Sequence, residues 1–564
     1  MWETSLSAAR RRVALLRPLF TSRLALCGAA MAAALTVAPS HAHAATTEIG
    51  PSDDLNAAIQ ALQPGDELVL QGGTYTLNFR LGITLNGTAA MPIVIRAKDG
   101  ETPVITRDAA QNTINIENSS YLTLQGLEIT GGSHGIRIDD SDFVTIEDCH
   151  VHDTGDVAIS ANIPGASYEG LRFIHNHIPD TGGTGEGFYL GCNDAGCVMF
   201  NSVIEGNYIH DTKDGVSQGD GIEVKHGSYG NLIKDNVIRD TGYPCIIVYG
   251  TQGNPVNTIE GNAMWNCGDH GIQAAADATI INNVILGAAA NGIHSQIHQG
   301  ATPGNLTILH NTILVDNDAI RTNDIAAPVL IANNALYSSG GNAIRLGGDT
   351  GQATVSGNVG TGTFGGSTGF DASGARATDF VDVANKDVFP ATGSKLIGSG
   401  DSAHTLPDDF NGTARPATPV DVGAYLYDAS GNPGWSVGDG FKEGGSTGGG
   451  GAGGSGGSAG AGNGGSSGSG NGGSGNGGTA GAGGSSGGGA NGGSGAASSG
   501  GSGASSNAGG GSSDDSGCGC SVPGGNTSRS GLLLSLGLLL GVSLRRRRSR
   551  RSAPQRGLGG PRSL

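Results

Sequence analysis

"SVIEGNYIHDT" (202–212), "NLIKDNVIRDT" (231–241), "NTIEGNAMWNC" (257–267) and "LTILHNTILVD" (306–316) are four copies of one phrase. Each holds two alternating apolar residues, a polar pair, an asparagine, then renewed alternation. The asparagine returns as Asn176, Asn207, Asn236, Asn262, Asn283, Asn311, Asn334 and Asn358, at intervals of 21 to 31 residues. A period of that length built from short β-type runs marks a solenoid. Coil length and strand content predict an all-β fold, a right-handed parallel β-helix of about ten coils. In such a coil the asparagine occupies a turn. Stacked copies then hydrogen-bond one another and the turn backbone as an internal ladder.

Working outward, the strand that opens each coil begins near Gly135, Ala158, Gly187, Gly221, Cys245, Gly271, Gly292, Ala319 and Ala343. Its second and fourth positions are mostly apolar and face inward; the third and fifth face out. The outward third-position column reads Arg137, Ser160, Tyr189, Glu223, Ile247, Gln273, His294, Arg321 and Arg345. Lys225 and Tyr249 fall in the fifth-position column, so Glu223 and Lys225 are expected to point to solvent on one side. The two extended connections, 187–207 and 213–220, both flank that strand, and insertions in solenoids cluster on the binding face. Asp153, Asp180, Asp211, Asp240 and Asn266 form a further column read as turn caps. His150, His152, His175, His177 and His210 recur in register and read as stacked turn side chains. Residues 52–62 predict a short amphipathic helix capped by Ser52 or Asp53, covering the open end of the solenoid.

Only part of the 564-residue chain has this character. Residues 1–44 read as a signal peptide: a basic region, an apolar run from Leu24 to Val37, and an Ala42-His43-Ala44 cleavage pattern. Residues 45–443 form the β-helix domain. Most of the 104 glycines lie in 444–517, a Gly/Ser-rich stretch expected to be a disordered linker. Residues 518–564 combine Cys518-Gly519-Cys520, an apolar stretch at 531–544 and a run of arginines. As a helix that stretch spans about 21 Å, short against a hydrocarbon core of about 30 Å, so a processed sorting signal is expected. The arrangement resembles the Cys-containing C-terminal sorting signal of myxobacterial surface proteins, implying partner sorting machinery, a membrane anchor and a cell-surface or extracellular location. Export makes disulfides possible. Cys192 and Cys197 are expected to close a loop, whereas Cys245 and Cys267 are expected on different sides of one coil and unbridged. Cys149 falls in the asparagine column as a buried substitute. The net charge of −18 argues against nucleic acid as a partner, but leaves an anionic polysaccharide acceptable where a cation inverts the local field. The chain is expected to act as a monomer.

"GDGIEVKHG" (219–227) concentrates the chemistry. Asp220, Glu223 and Glu186 are hard oxygen donors, candidate ligands for calcium. Lys225 is the candidate base, provided that its site lowers its pKa, and Tyr249 the candidate acid. His270 and His294 are alternative bases. Tyr189, Gln273 and Arg321 are candidate substrate-binding residues. This set suits β-elimination of a uronate polysaccharide. At these residues the chain resembles the alginate lyase and chondroitinase-B family of parallel β-helix polysaccharide lyases. There a lysine base follows an acidic calcium ligand by five positions, the spacing of Asp220 and Lys225. Tyr249 stands where that family carries an arginine, and Gln218 where it carries a second acidic ligand. Two alternatives remain open from sequence: a non-catalytic carbohydrate-binding or adhesive module, and a uronate C5-epimerase.

Overall fold

The computed structural model describes residues 44–443, except 109, 213 and 214. The segments read as sorting signal and linker, and nearly all of that read as a signal peptide, lie outside the described residues. The chain winds as an all-β parallel solenoid of about eleven turns with very little helix. Each turn gives one short strand to each of three ribbons. The first ribbon includes Phe188–Leu190, Ile222–Val224 and Ile246–Val248. The second has 13 strands, from Thr46–Ile49 to Ala353–Ser356. The third follows the asparagines and includes Tyr208–Thr212, Val237–Thr241 and Ala263–Cys267. The first-ribbon register pairs Arg137 with Ser160, then Tyr189, Glu223, Ile247, Gln273, His294, Arg321 and Arg345 in succession. That is the outward column expected from sequence. Inward positions carry Ile, Val and Leu, such as Ile222, Val224, Ile246 and Val248, all fully buried.

The asparagine ladder runs unbroken from Asn176 to Asn358. The backbone N–H and the side-chain Nδ2 of each asparagine donate to Oδ1 of the next, at 2.9–3.0 Å. Cys149 extends it, donating its N–H to Asn176 Oδ1. The residue before each asparagine is left-handed: His175, Gly206, Asp235, Gly261, Asn282, His310, Asn333 and Gly357 have φ between 53 and 66°. Glycine, asparagine and aspartate tolerate that conformation best, which explains the polar pair in the repeated phrase. Asp153, Asp180, Asp211, Asp240 and Asn266 are left-handed too, in line with turn residues. A second ladder, not read from sequence, joins Leu171 N–H to Ser202 Oγ, Ser202 N–H to Asn231 Oδ1 and Asn231 N–H to Asn257 Oδ1.

Three expectations need correction, and the path of residues 376–443 was not read from sequence. The helix is shorter, Leu55–Gln60, and its cap is Asp54, which accepts from Ala57 N–H; Asp53 instead accepts from Gly50 N–H. His150, His152, His177 and His210 sit on third-ribbon strands, not turns, and only His175 occupies a turn. Residues 376–443 run back lengthwise over the third ribbon, where Phe380, Phe389, Phe410 and Tyr425 pack with Tyr208, Trp265, Leu314 and Tyr337. Finally, Cys245 and Cys267 are bridged, with Cα atoms 5.3 Å apart. The corner after Thr241 is so tight that Cys245 Sγ returns to 3.6 Å from Thr241 Oγ1. Cys267 holds the position stacked on Thr241 in the next coil, so two nominally separate sides meet. Replacing both cysteines by alanine is expected to cost on the order of 3 kcal/mol. An unchanged denaturant midpoint would show that the covalent link adds nothing to this stack.

Candidate functional site

Phe188–Leu190, Ile222–Val224 and Ile246–Val248 lie side by side and form the floor of the site. Gly221 permits the close stacking: a Cβ there would meet Cys245 O at 2.5 Å. From this floor, Glu186, Asp220 and Glu223 converge, with carboxylate oxygens all within 4.8 Å of one another. All three are buried, against the ordinary behaviour of acidic side chains. Burial, and then the Glu223 charge, pushes the Glu186 carboxyl up to about 7. Burial together with Glu223 and Glu186 holds Asp220 well above the usual carboxylate range. Glu186 Oε1 and Glu223 Oε2 are buried with no hydrogen-bond partner among the described residues. Crowded carboxylates with orphaned oxygens fit a hard divalent cation of the calcium class.

Lys225 is ion-paired to Glu223 through Nζ and Oε1. Its ammonium lies 4.5 Å from the centroid of the Tyr189 ring and 5.2 Å from that of Tyr249. The expectation that Glu223 and Lys225 face open solvent does not hold: both are buried, with 3% and 4% of their surface exposed. Nor is the Lys225 pKa lowered. Burial pulls it down, but the Glu223 carboxylate and the Tyr189 phenol outweigh that and hold it above the ordinary lysine value. Tyr249 Oη donates to Glu223 Oε1 at 3.1 Å. Burial and the charges of Glu223 and Asp220 raise the Tyr249 pKa.

The burial has a specific cause. His298 stacks on Tyr249, ring centroids 4.9 Å apart. Its neighbour Gln299 donates from Nε2 to Asn193 Oδ1 at 2.8 Å and accepts from Asp194 N–H at 3.1 Å. Asn193 and Asp194 belong to the loop closed by the Cys192–Cys197 disulfide. Two connections 105 residues apart in sequence therefore meet over the site. His298 was missed from sequence. It lies in a return loop, whose path the coil period does not fix, and only its closeness to His294 in "IHSQIHQG" was a signal. Burial, and then the Lys225 charge, lowers its pKa.

The remaining candidates form a second group along the same ribbon. Ile247, Tyr249 and Ala275 make an apolar patch between them and the carboxylates. Asn291 N–H donates to His270 Nδ1 at 3.1 Å, so His270 Nε2 carries the proton and donates to His294 Nδ1 at 2.7 Å. Gln273 pairs in register with His294, and His294 with Arg321. Burial, and then Arg321, lower the His270 pKa from 6.5 to about 4. A base whose folded pKa is depressed contributes stability that is present above 6.5 and lost as pH falls through about 4. The melting temperature is thus expected to decline across that interval, and His270→Gln to remove part of the decline. An unaltered pH profile in His270→Gln would count against this assignment.

Comparison with known proteins agrees with the fold. The family described as "Pel9A-like, right handed beta helix region" matches residues 35–211, and "Right handed beta helix region" matches 165–359. Pectate lyase PEL9 of Emericella nidulans is 29% identical over 133 residues, covering 21% of this chain and 32% of that protein. The chain thus spans about a third of the length of the curated relative it matches. Among solved structures, pectate lyase Pel9A aligns with a TM-score of 0.41 at 16% identity, over 68% of this chain and 96% of the other. The alginate lyase of Paenibacillus sp. str. FPU-7 aligns with a TM-score of 0.38 at 22% identity, over 47% and 95%.

Proposed function

We propose that this protein is a polysaccharide lyase that cleaves an acidic, uronate-containing polysaccharide by β-elimination, with calcium as its cofactor. One observation carries the reading: three buried carboxylates, two with orphaned oxygens, converge beside a buried lysine held between two tyrosines. A surface that only bound sugar would have no use for a buried lysine or for crowded acids that oppose folding. The partial match to a pectate lyase supports the same class.

Glu186, Asp220 and Glu223 would hold the cation. When bound, a hard divalent cation neutralises the uronate carboxylate and lowers the energy of the enolate-like intermediate. Glu223 would then serve the cation rather than Lys225, and the burial of Lys225 would favour its neutral amine. That amine takes the C5 proton. The C4–O bond breaks, its electron pair leaves with the glycosidic oxygen, and a C4–C5 double bond forms. The Tyr249 hydroxyl gives its proton to the departing oxygen. Proton return from Lys225 to the Tyr249 phenolate restores the site.

Chelation of divalent cations is expected to abolish formation of the unsaturated uronate on alginate, pectate or glycosaminoglycan, and added calcium to restore it. Calcium should also raise the melting temperature of the wild type but not of Asp220→Asn. Equal calcium stabilisation of both proteins would remove the carboxylate trio from the cofactor site.

The exported, surface-anchored placement read from the chain termini belongs to the same proposal. Protease accessibility on intact cells tests it.

A further inference from the structure

On the third ribbon, away from the carboxylate trio, a cluster of imidazoles has no role in the reaction above. His150 and His152 alternate about the buried Val151 on one strand, so both rings project from the same face, their centroids 4.1 Å apart. Glu128 pairs in register with His150 from the preceding coil. The donor atoms of Glu128, His150 and His152 lie within 4.8 Å of one another.

The hydrogen bonds say which atoms are available. His152 Nδ1 lies 2.7 Å from Asp153 Oδ2. A carboxylate only accepts, so Nδ1 carries the proton and donates. That leaves His152 Nε2 with its lone pair, 3.3 Å from Glu128 Oε1. In the neutral ring two acceptors face each other there, a conflict that either a second proton on the imidazole or a cation between the two atoms resolves. His150 Nε2 is the third donor: it is buried and has no partner among the described residues. An aspartate that fixes the tautomer of a ligating histidine is the arrangement seen behind zinc-bound imidazoles.

The neighbours reinforce this order. His177 stacks on His150 at 4.6 Å with the planes 8° apart, and on Tyr208 at 5.2 Å. His210 repeats the orienting device: its Nδ1 donates to Asp211 Oδ2 at 2.6 Å, and its Nε2 meets His177 Nε2 at 2.8 Å. Those two rings satisfy each other and wall the site. Glu128 and His152 retain 27% and 16% side-chain exposure, which leaves an entry path for an ion.

We propose that Glu128, His150 and His152 form a transition-metal site, selective for zinc-class divalent ions and distinct from the carboxylate trio. Two imidazoles and one carboxylate make a three-ligand set that leaves a position to water. Nitrogen donors separate it from calcium chemistry, which takes oxygen.

The test uses the full-length protein, stripped by chelation and titrated with Zn²⁺ by calorimetry, then with Co²⁺ for its visible d–d absorption. The Glu186→Gln/Asp220→Asn double variant serves as background, so that the trio cannot bind the probe. One equivalent of Zn²⁺ is expected in the background variant, and at least one in wild type, with the Co²⁺ bands of a nitrogen-containing site. Glu128→Gln and His152→Ala should each weaken Zn²⁺ binding by 30-fold or more, on the order of what loss of a ligand or its support costs. Asp153→Asn should weaken it about 10-fold, having lost only the orienting charge. Glu128→Gln preserves shape, and decides the matter if His152→Ala unfolds. Undiminished Zn²⁺ binding in Glu128→Gln, or the absence of a stoichiometric site in wild type, would overturn the proposal.

Discussion

Lys225→Ala is expected to lower kcat/KM for uronate elimination by about 10³-fold, within the range that a positioned proton acceptor supplies. The readout is the ultraviolet absorbance of the unsaturated product. The substitution also leaves Glu223 buried without its counter-ion, which costs about 3–5 kcal/mol where such a pair is broken. Melting temperature must therefore be followed beside activity. Lys225→Ala/Glu223→Gln removes both charges and is expected to regain stability but not turnover. Tyr249→Phe isolates the other proton: it deletes one hydroxyl, keeps the ring over Lys225, and should lower kcat more than it raises KM. Full activity in a folded Lys225→Ala protein would end the assignment of Lys225 as base. Residual activity would then point to His298, the other titratable ring against Tyr249.

How this site was legible, and where it was not, follows from what a period encodes. The columns were readable because a one-residue slip would turn every isoleucine of a three-residue strand outward. Tyr189, Glu223 and Ile247 thus fell into register from sequence alone, and the convergence of Glu186, Asp220 and Glu223 followed from that register. The burial of Lys225 was not readable. It depends on His298 and Gln299 reaching the disulfide loop at Asn193, a contact between aperiodic segments. The sign of the Lys225 pKa shift, left as a condition by the sequence, was unreadable for a related reason. Sequence marks the burial of a lysine as proton-releasing, but the sign was set by Glu223, Oε1 against Nζ. The Cys245–Cys267 bridge was lost to the same limit, since a corner's tightness is a matter of geometry and not of spacing. The second ladder was hidden because serine replaces asparagine at Ser202 and its run is short.

Asn236→Ala is expected to have the largest effect on stability of any single substitution away from the site. Asn236 Oδ1 accepts from both the backbone N–H and Nδ2 of Asn207, and its own Nδ2 donates to Ile204 O and to Asn262 Oδ1. Alanine keeps the backbone but deletes all four bonds in a fully buried turn. At least two main-chain groups, Asn207 N–H and Ile204 O, then lack these partners. Each buried orphan costs about 1–3 kcal/mol, so a loss of about 4 kcal/mol is expected, a large share of a typical folding free energy. Denaturant unfolding with constant slope measures it. Asn236→Asp separates the two halves of the effect. It keeps an acceptor for Asn207 but places a carboxylate against Asn262 Oδ1 and Ile204 O, so it should be at least as damaging as alanine. Were the ladder only an ornament of the turn, with water satisfying the same groups, Asn236→Ala would cost under about 1 kcal/mol and Asn236→Asp would be nearly neutral. The contrast between the variants also bears on function. Asn236 lies in the same coil as the strand Ile246–Val248, which carries Tyr249 at its end, so a loosened ladder should raise KM before it lowers kcat.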